Sequence, residues 1–272
     1  MRMTDFEYDG IKLSEMGYVT CDFSGGEEDQ EIGNILTMNN IKAQDMDVNF
    51  AAAATYDDLF ELEFQICKTP CGKDSDFVLE ASDIKRIMRW LNRKKYLKFK
   101  PIYEDNSFED VYYMATFNIS LIKTAGKIIG LTLQMKTNAP YGFAETVSTI
   151  NAALSSASDN LIIQDTSDEI GHINCDAVIT CKAAGELRVT NSLDPNNVFS
   201  VKNCKEDEVI TLYGETKIIE SSLVHNKLFN DFNYNFIRVV NTYVENENVF
   251  TSTLPCEIKV SYNPIRKVGL VL

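Results

Sequence analysis

Short segments in which apolar and polar residues alternate fill the second half of this 272-residue chain, and they limit its possible folds more than any other feature. In 256–262, for example, Glu257, Lys259 and Ser261 separate four apolar side chains. A period of two is typical of a strand with one buried face, and the lack of crossover helices favours antiparallel pairing. The pattern predicts an antiparallel β-sandwich. Its strands are predicted at 176–182, 186–191, 198–203, 208–213, 217–221, 236–241, 248–253 and 256–262, with a turn at 193–197.

The first half mixes predicted strands with one helix, which indicates a β-barrel or β-sandwich domain carrying a single α-helix. Ala125 and Gly126 supply a turn between two of the strands. Together the two halves predict a mainly β protein. The predicted strands of the first half lie at 11–23, 32–38, 60–67, 111–122 and 127–136.

The helix is predicted at about 82–95. Ser82 and Asp83 can cap its N-terminus, and apolar residues then recur at helical spacing. This apolar face consists of Ile84, Ile87, Met88 and Leu91, and we expect it to pack on the sheet. Four basic residues fall outside that face and are expected to point away from the core: Lys85, Arg86, Arg89 and Arg93.

A chain of this length corresponds to roughly two domains. The segment 138–142 contains Pro140 and Gly142 and is the clearest boundary, and the small polar residues that follow it resemble a linker. We therefore expect an N-terminal domain at 1–142, a linker at 143–160 and a C-terminal domain at 161–272.

Residues that could support catalysis are scarce. The chain has two histidines, His172 and His225, without a metal-binding or nucleophile–base pattern around either of them, and no Gly-rich loop has phosphate-binding spacing. The acidic clusters at 27–29 and 206–208 are typical of solvated turns. We expect no enzyme activity, no cofactor and no bound metal.

The seven cysteines are an odd number, widely scattered, and favour free thiols over a disulfide framework. Cys67 and Cys71 are separated by three residues, which does not fit a redox pair. The N-terminus does not resemble a signal peptide, and no run approaches the ~18 apolar residues of a membrane span. The expectation is a chain made in a cytoplasm, where it stays or leaves as part of something larger, with no membrane partner.

The most unusual local feature is a basic segment at 85–100, which holds eight Lys or Arg residues and no acid in a chain of net charge −14. Three interpretations are open. The segment could be a solvated face, or it could bind nucleic acid, since Tyr96 and Phe99 interleave with the charges. It could also meet the acidic surface of a second copy, as in a closed ring. Self-association fits the charge balance best.

Several motifs follow one another along the chain in a recognisable order. They are the opening segment 6–14, Trp90-Leu91-Asn92, 96–99, 111–115, the paired strands up to Met135, and 139–142. This order resembles the phage distal tail protein family, whose members form the hub of tail-tip baseplates in long-tailed phages with non-contractile tails. The resemblance covers nearly the whole chain. The loop at 25–33 departs from the Pro-Gly-Arg type loop of many members, so no contact is transferred to it.

This resemblance implies a structural protein of the virion. Six copies would form a ring at the distal end of the tail, with the N-terminal domain building the ring and its channel and a galectin-like C-terminal domain outside. Implied partners are the tail tube protein, a tail-associated tip protein and a receptor-binding protein, with DNA only passing through the channel. Assembly would occur in the bacterial cytoplasm. Because a channel for DNA should not grip phosphate, we expect Lys85, Arg86, Arg89 and Arg93 at a subunit or partner interface.

The alternative function is carbohydrate binding during recognition of the host surface. Such a module would need an exposed aromatic platform beside polar side chains. The second half contains no tryptophan, and host cell-wall carbohydrate remains a possible ligand. Candidate aromatic residues are Tyr213, Phe229, Phe232, Tyr234 and Tyr243.

Overall fold

A computed structural model describes residues 2–23, 36–42, 49–56, 59–69, 77–145, 152–154 and 159–268. The acidic loop at 25–33 and Cys71 lie outside these residues. The chain divides into two compact units. Unit 1 comprises Met1–Phe143 and Arg266–Leu272, and unit 2 comprises Ala144–Ile265. The described residues form mainly β structure, which confirms the predicted fold class.

Unit 1 is built on a curled sheet in which the strands follow the order β2-β1-β7-β8-β9-β6-β3. Neighbouring strands along this path are antiparallel. A further hairpin, β4–β5, forms a separate two-stranded sheet. The strands in chain order are β1 (Met3–Tyr8), β2 (Ile11–Lys12), β3 (Tyr18–Cys21), β4 (Leu36–Lys42), β5 (Asn49–Tyr56), β6 (Glu61–Lys68), β7 (Leu97–Tyr103), β8 (Val111–Thr124), β9 (Lys127–Thr137) and β10 (Gly142–Ala144), with a 3-10 turn at Ser14–Met16.

The helix α1 spans Ala81–Leu91, so the predicted C-terminal end at about 95 is wrong. The helix ends before Asn92, whose backbone is no longer helical. The Asn92 side chain donates a hydrogen bond to the carbonyl of Phe117 at 2.7 Å, which holds the chain there. The N-terminal cap is also different. Glu80, not Ser82, is the N-cap, and it forms a reciprocal capping box with Asp83, which satisfies the amides of the first turn.

The face that α1 buries differs by one position from the predicted stripe. Ile87 and Leu91 are fully buried, as predicted, and Ile84 packs against the same core. Met88, however, is exposed, and Trp90 takes its place among the buried residues. The Trp90 indole N–H donates to the carbonyl of Tyr8 at 3.1 Å, so this ring both fills the core and satisfies a buried backbone acceptor.

Unit 2 is a sandwich of a five-stranded sheet, β11-β21-β14-β17-β18, and a four-stranded sheet, β12-β20-β15-β16, with β13 and β19 paired beside them. Residues from both larger sheets form one hydrophobic core. The elements are β11 (Ala152–Leu154), β12 (Leu161–Gln164), β13 (Gly171–Asn174), β14 (Asp176–Cys181), β15 (Gly185–Asn191), β16 (Asp194–Cys204), β17 (Val209–Tyr213), β18 (Ile218–Ser221), α2 (Leu228–Asp231), β19 (Arg238–Asn241), β20 (Glu247–Ser252), β21 (Cys256–Ser261) and β22 (Ile265–Arg266).

The eight strands predicted in this half are confirmed as β14 to β21. The turn predicted at 193–197 lies earlier, at 192–193, because β16 already begins at Asp194, opposite Asn191. Pro195 is tolerated there because β16 is the edge strand of its sheet. The six cysteines of the described residues are free, as expected, and four of them are buried: Cys175, Cys181, Cys204 and Cys256.

Buried polar groups link the strands of unit 2. Asn191 donates to the carbonyl of Arg238 at 2.9 Å and to Oδ1 of Asn248 at 2.7 Å. Asn248 in turn exchanges hydrogen bonds with the backbone N–H and C=O of Val240, at 2.8 and 2.9 Å. These bonds tie β19 to the four-stranded sheet and fix the position of Arg238.

Candidate functional site

The basic segment at 85–100 is divided among three elements. Lys85, Arg86 and Arg89 lie on α1, whereas Arg93 follows its end and belongs to the connection to β7. All four side chains are exposed, as expected. Because α1 ends earlier than predicted, it carries only three of the four candidate interface cations.

Two of these cations already hold positions within unit 1. The Arg86 guanidinium donates to the carbonyl of Met16 at 2.9 Å and lies 5.6 Å from the centre of the Tyr18 ring. Arg93 donates through Nε to the carbonyl of Trp90 at 3.1 Å. Lys85 and Arg89 form no ion pair with the described residues, so their charges are the most available to a partner.

The hairpin β4–β5 presents large apolar side chains to solvent. Ile41 and Phe50 face each other across the two strands, and 61% and 52% of their respective surfaces are exposed. Leu36 and Met38 on β4 are exposed too. The hairpin pairs with no other strand among the described residues, and an isolated two-stranded hairpin is only marginally stable in water. This surface is therefore suited to contact with another protein.

The two histidines occupy contrasting places. His172 is exposed on β13, whereas His225 is buried between two carboxylates. Its Nδ1 lies 2.8 Å from Oε1 of Glu208, and its Nε2 lies 3.0 Å from Oδ2 of Asp231. Burial alone would lower the pKa of His225, but the hydrogen bonds that the protonated ring donates to the two carboxylates outweigh it and raise the pKa. With both nitrogens engaged, this ring serves as a structural bridge.

The acidic cluster at 206–208 contains one buried member. Glu208 accepts hydrogen bonds from the Lys205 N–H at 2.8 Å and the Ser221 hydroxyl at 2.6 Å, in addition to His225. Burial would raise the pKa of Glu208, but these donors lower it. Across the described residues, no group of three or more His, Cys, Asp or Glu side chains is arranged to hold a metal ion.

The five aromatic candidates do not form one platform. Phe232 is buried and packs edge-on against Phe236, with ring centres 5.3 Å apart. The others, which include Tyr213, Phe229 and Tyr243, are exposed. Tyr234 alone among the five lines a groove of about 400 Å³ in unit 2. That groove is otherwise lined by Asn174, Asn197, Lys217, Asn235, Phe236 and Arg238.

Neither the hairpin surface nor the groove was predicted from the sequence. The hairpin strands consist largely of alanine, asparagine and threonine, and only 32–38 was predicted as a strand there. The groove combines residues from β13, β16, β19 and two loops, so no local pattern could reveal it. Tyr234 was singled out as a candidate, but its polar neighbours were not.

Two family models match the chain in order. A model described as a phage tail protein N-terminal domain matches residues 1–139, and a model described as a phage tail C-terminal domain matches residues 141–262. A search of curated proteins finds no match. The described part of the chain contains no helix that is long and apolar enough to cross a membrane.

One solved structure shares the fold at low sequence identity. The Dit protein of phage SPP1, described as a paradigm of the hub adsorption apparatus in phages that infect Gram-positive bacteria, is 13% identical. The match covers 96% of this chain and 99% of that one, with a TM-score of 0.64. A chain of the phage P2 baseplate in its activated conformation is 10% identical over 96% of this chain and 98% of that one, with a TM-score of 0.48.

Proposed function

Because the chain belongs to the phage tail protein family of these two models (DUF6558), we propose that it forms a ring of six copies at the distal end of a phage tail. The ring joins the tail tube to the host-adsorption apparatus. The observation that carries this proposal is that both family models match, in order, across almost the entire chain. The SPP1 protein that shares the fold is described as a hub component, and we extend that role to this chain.

In this proposal the N-terminal domain at 1–142 builds the ring, the linker at 143–160 follows, and the galectin-like domain at 161–272 lies outside. The ring faces contact the tail tube protein and a tail-associated tip protein, and a receptor-binding protein docks nearby. DNA only passes through the channel. The protein is assembled in the host cytoplasm, acts in the virion, has no enzyme activity and requires no cofactor.

Two surfaces of unit 1 support the subunit contact. The hairpin β4–β5 offers exposed apolar side chains, among them Ile41 and Phe50, and exposed apolar patches are typical of protein–protein contacts. Lys85, Arg86, Arg89 and Arg93 offer positive charge in a chain of net charge −14, so a second copy supplies complementary acidic surface. A head-to-tail contact of this kind closes into a ring when its rotation permits.

Electron microscopy of the purified chain, alone and mixed with the cognate tail tube protein, tests this function. We expect six-fold rings with a central opening, which bind to the ends of tubes. Particles without rotational symmetry, together with tubes that remain bare, would contradict the proposal.

The role of the basic face is tested by the double variant Lys85→Glu with Arg89→Glu. These side chains form no ion pair with the described residues of their own chain, so the change should weaken assembly without unfolding unit 1. The matched control is Lys94→Glu with Lys95→Glu, which changes the charge equally beyond the end of α1. If the two double variants formed oligomers to the same extent, the helix face would not be the interface.

A further inference from the structure

A groove in unit 2 brings an exposed aromatic ring together with asparagine, lysine and arginine side chains. Its volume of about 400 Å³ lies within the usual range for ligand pockets, which combine aromatic walls with a few convergent polar groups. We propose that this groove binds an acidic saccharide, with the carboxylate or phosphate beside Lys217 and Arg238 and the sugar ring against Tyr234. This inference goes beyond the ring-forming function and does not depend on it.

The charge in the groove favours an anion. The Lys217 ammonium donates to Oδ1 of Asn174 at 2.6 Å and forms no ion pair with the described residues. Arg238 is paired with Asp194, through Nε at 2.9 Å and a terminal nitrogen at 2.5 Å. Lys217, Arg238 and Asp194 together carry one net positive charge in a strongly acidic protein. An anionic group can approach both cations.

The titration of Lys217 is consistent with this arrangement. Burial lowers its pKa, and the nearby positive charge of Arg238 lowers it further. A bound anion would relieve this repulsion, because an opposite charge within a few ångströms favours the charged form of the lysine.

Tyr234 provides an aromatic surface that is both exposed and held in place. Its residue surface is 65% exposed, yet its hydroxyl donates to the carbonyl of Phe229 at 2.9 Å and its ring lies 5.2 Å from that of Phe232. Its backbone has a φ of 63°, a left-handed conformation that is uncommon for a bulky residue.

Three asparagines supply oriented polar groups for sugar hydroxyls. Asn197 donates to the carbonyl of Phe236 at 2.8 Å, and Asn235 donates to the carbonyl of Val198 at 3.0 Å. Each bond fixes the amide and directs its own oxygen away as an acceptor. Asn174 accepts from Lys217, so its amide nitrogen remains a donor. The groove therefore offers donors, acceptors and a cation beside one aromatic ring.

Ligand-observed NMR titration of the full chain tests the proposal with four probes. These are methyl glucuronide, glucose-1-phosphate, the neutral methyl glucoside and inorganic phosphate. We expect at least one acidic sugar to bind about tenfold or more tightly than both the neutral sugar and phosphate alone. The stronger of the two acidic sugars then identifies carboxylate or phosphate as the preferred group.

Paired variants locate the binding. Lys217→Gln and Tyr234→Asn should each weaken binding of the acidic sugar about tenfold or more. Asparagine is chosen because it tolerates the left-handed backbone. The controls are Lys202→Gln and Tyr243→Asn, and Tyr243 matches Tyr234 with 66% exposure and a φ of 65°. The site is supported if both control variants bind the acidic sugar as tightly as the wild type.

Three results would overturn the proposal. The first is equal affinity for the acidic and the neutral sugar, and the second is unchanged affinity in Lys217→Gln or Tyr234→Asn. The third is no binding of either acidic sugar at about 10 mM, which is weaker than the usual range of specific recognition. None of these results bears on ring formation, which is measured without sugar.

Discussion

The two units stabilise their interiors by different means. In unit 1 the rings of Phe6, Tyr8, Phe64 and Phe99 surround Phe117, with ring centres 5.2 to 6.2 Å from it. In unit 2 the core consists mainly of aliphatic side chains and thiols. Directional hydrogen bonds among buried amides and carboxylates position the strands there.

This difference corresponds to the surfaces that each unit offers. Ring packing anchors α1 through Trp90 and leaves the basic side of the helix and the hairpin β4–β5 exposed to solvent. In unit 2 the Asn191–Asn248 network holds β19, and β19 carries Arg238 to the groove. We infer that unit 1 is adapted to contacts with proteins and unit 2 to placing polar groups for a ligand.

The largest expected effect is that of Phe117→Ala on unit 1. Removing a fully buried ring leaves a cavity among four other rings and should lower the free energy of unfolding by about 3–5 kcal/mol. Trp90, the single tryptophan, lies in the same core, so urea unfolding followed by its fluorescence reports this unit directly. A loss below about 1 kcal/mol would refute the central role of the aromatic cluster.

A smaller loss is expected when the polar network of unit 2 is broken. Asn248→Ala leaves the N–H and C=O of Val240 and the amide of Asn191 without their partner, at a cost of about 1–3 kcal/mol for an unsatisfied buried group. Urea unfolding, monitored by circular dichroism, measures this loss in the free energy of unfolding. The control Asn196→Ala removes an exposed amide and should change stability by less than about 0.5 kcal/mol. If Asn248→Ala lowered the free energy of unfolding no more than Asn196→Ala does, buried hydrogen bonds would not distinguish unit 2 from unit 1.

The His225 bridge should make the stability of unit 2 depend on pH. Because the folded pKa of His225 is raised, its contribution is fully present below the unfolded pKa of about 6.5 and is lost as pH rises through the folded value. The pKa values of Glu208 and Asp231 are lowered in the folded state, so their contributions are lost as pH falls through those values. Stability should therefore be greatest in mildly acidic solution.

Unfolding of the wild type and His225→Gln between about pH 5 and 9 measures this dependence. Glutamine keeps a polar side chain but does not take up a proton, so it carries no positive charge between the two carboxylates. The difference in stability between the two proteins should shrink as pH rises. A constant difference would mean that the protonated ring does not bridge Glu208 and Asp231.

The smallest effect on stability is expected for the hairpin. Replacing Ile41 and Phe50 together by serine should change the free energy of unfolding of unit 1 by no more than about 0.5 kcal/mol, because both side chains are already exposed. Assembly should nevertheless be weakened, as seen by the fraction of oligomer on a sizing column. Val244→Ser, an equally polar change at a residue that is 91% exposed in unit 2, should alter neither property.

Regular alternation made much of the fold predictable from the sequence. The strand β6 follows 60–67 closely, and β8 and β9 are joined at Ala125 and Gly126, which both adopt the positive φ that such a turn requires. The errors arose where distant residues decide the outcome. Asn92 ends α1 by bonding to Phe117, and Trp90 is drawn inward by the carbonyl of Tyr8.

The candidate sites were less predictable for the same reason. The basic residues of α1 lie within one short stretch of sequence and could be selected from it as candidates, although Arg93 lies beyond the helix, and their role at an interface stays a prediction. The groove depends on Asn174, Lys217 and Arg238, which are far apart in the chain and meet only because β13 pairs with β19 and β18 lies nearby in the fold. Local sequence patterns do not show which residues that are far apart in the chain lie next to each other in the fold.

The solution mass of the purified chain tests the central claim most directly. Light scattering on a sizing column should be measured over a range of protein concentration and salt, because salt screens charge contacts between subunits. We expect a particle of about 184 kDa, six times the 30.7 kDa of one chain. A single-chain mass under every condition, also after addition of the cognate tail proteins, would contradict it.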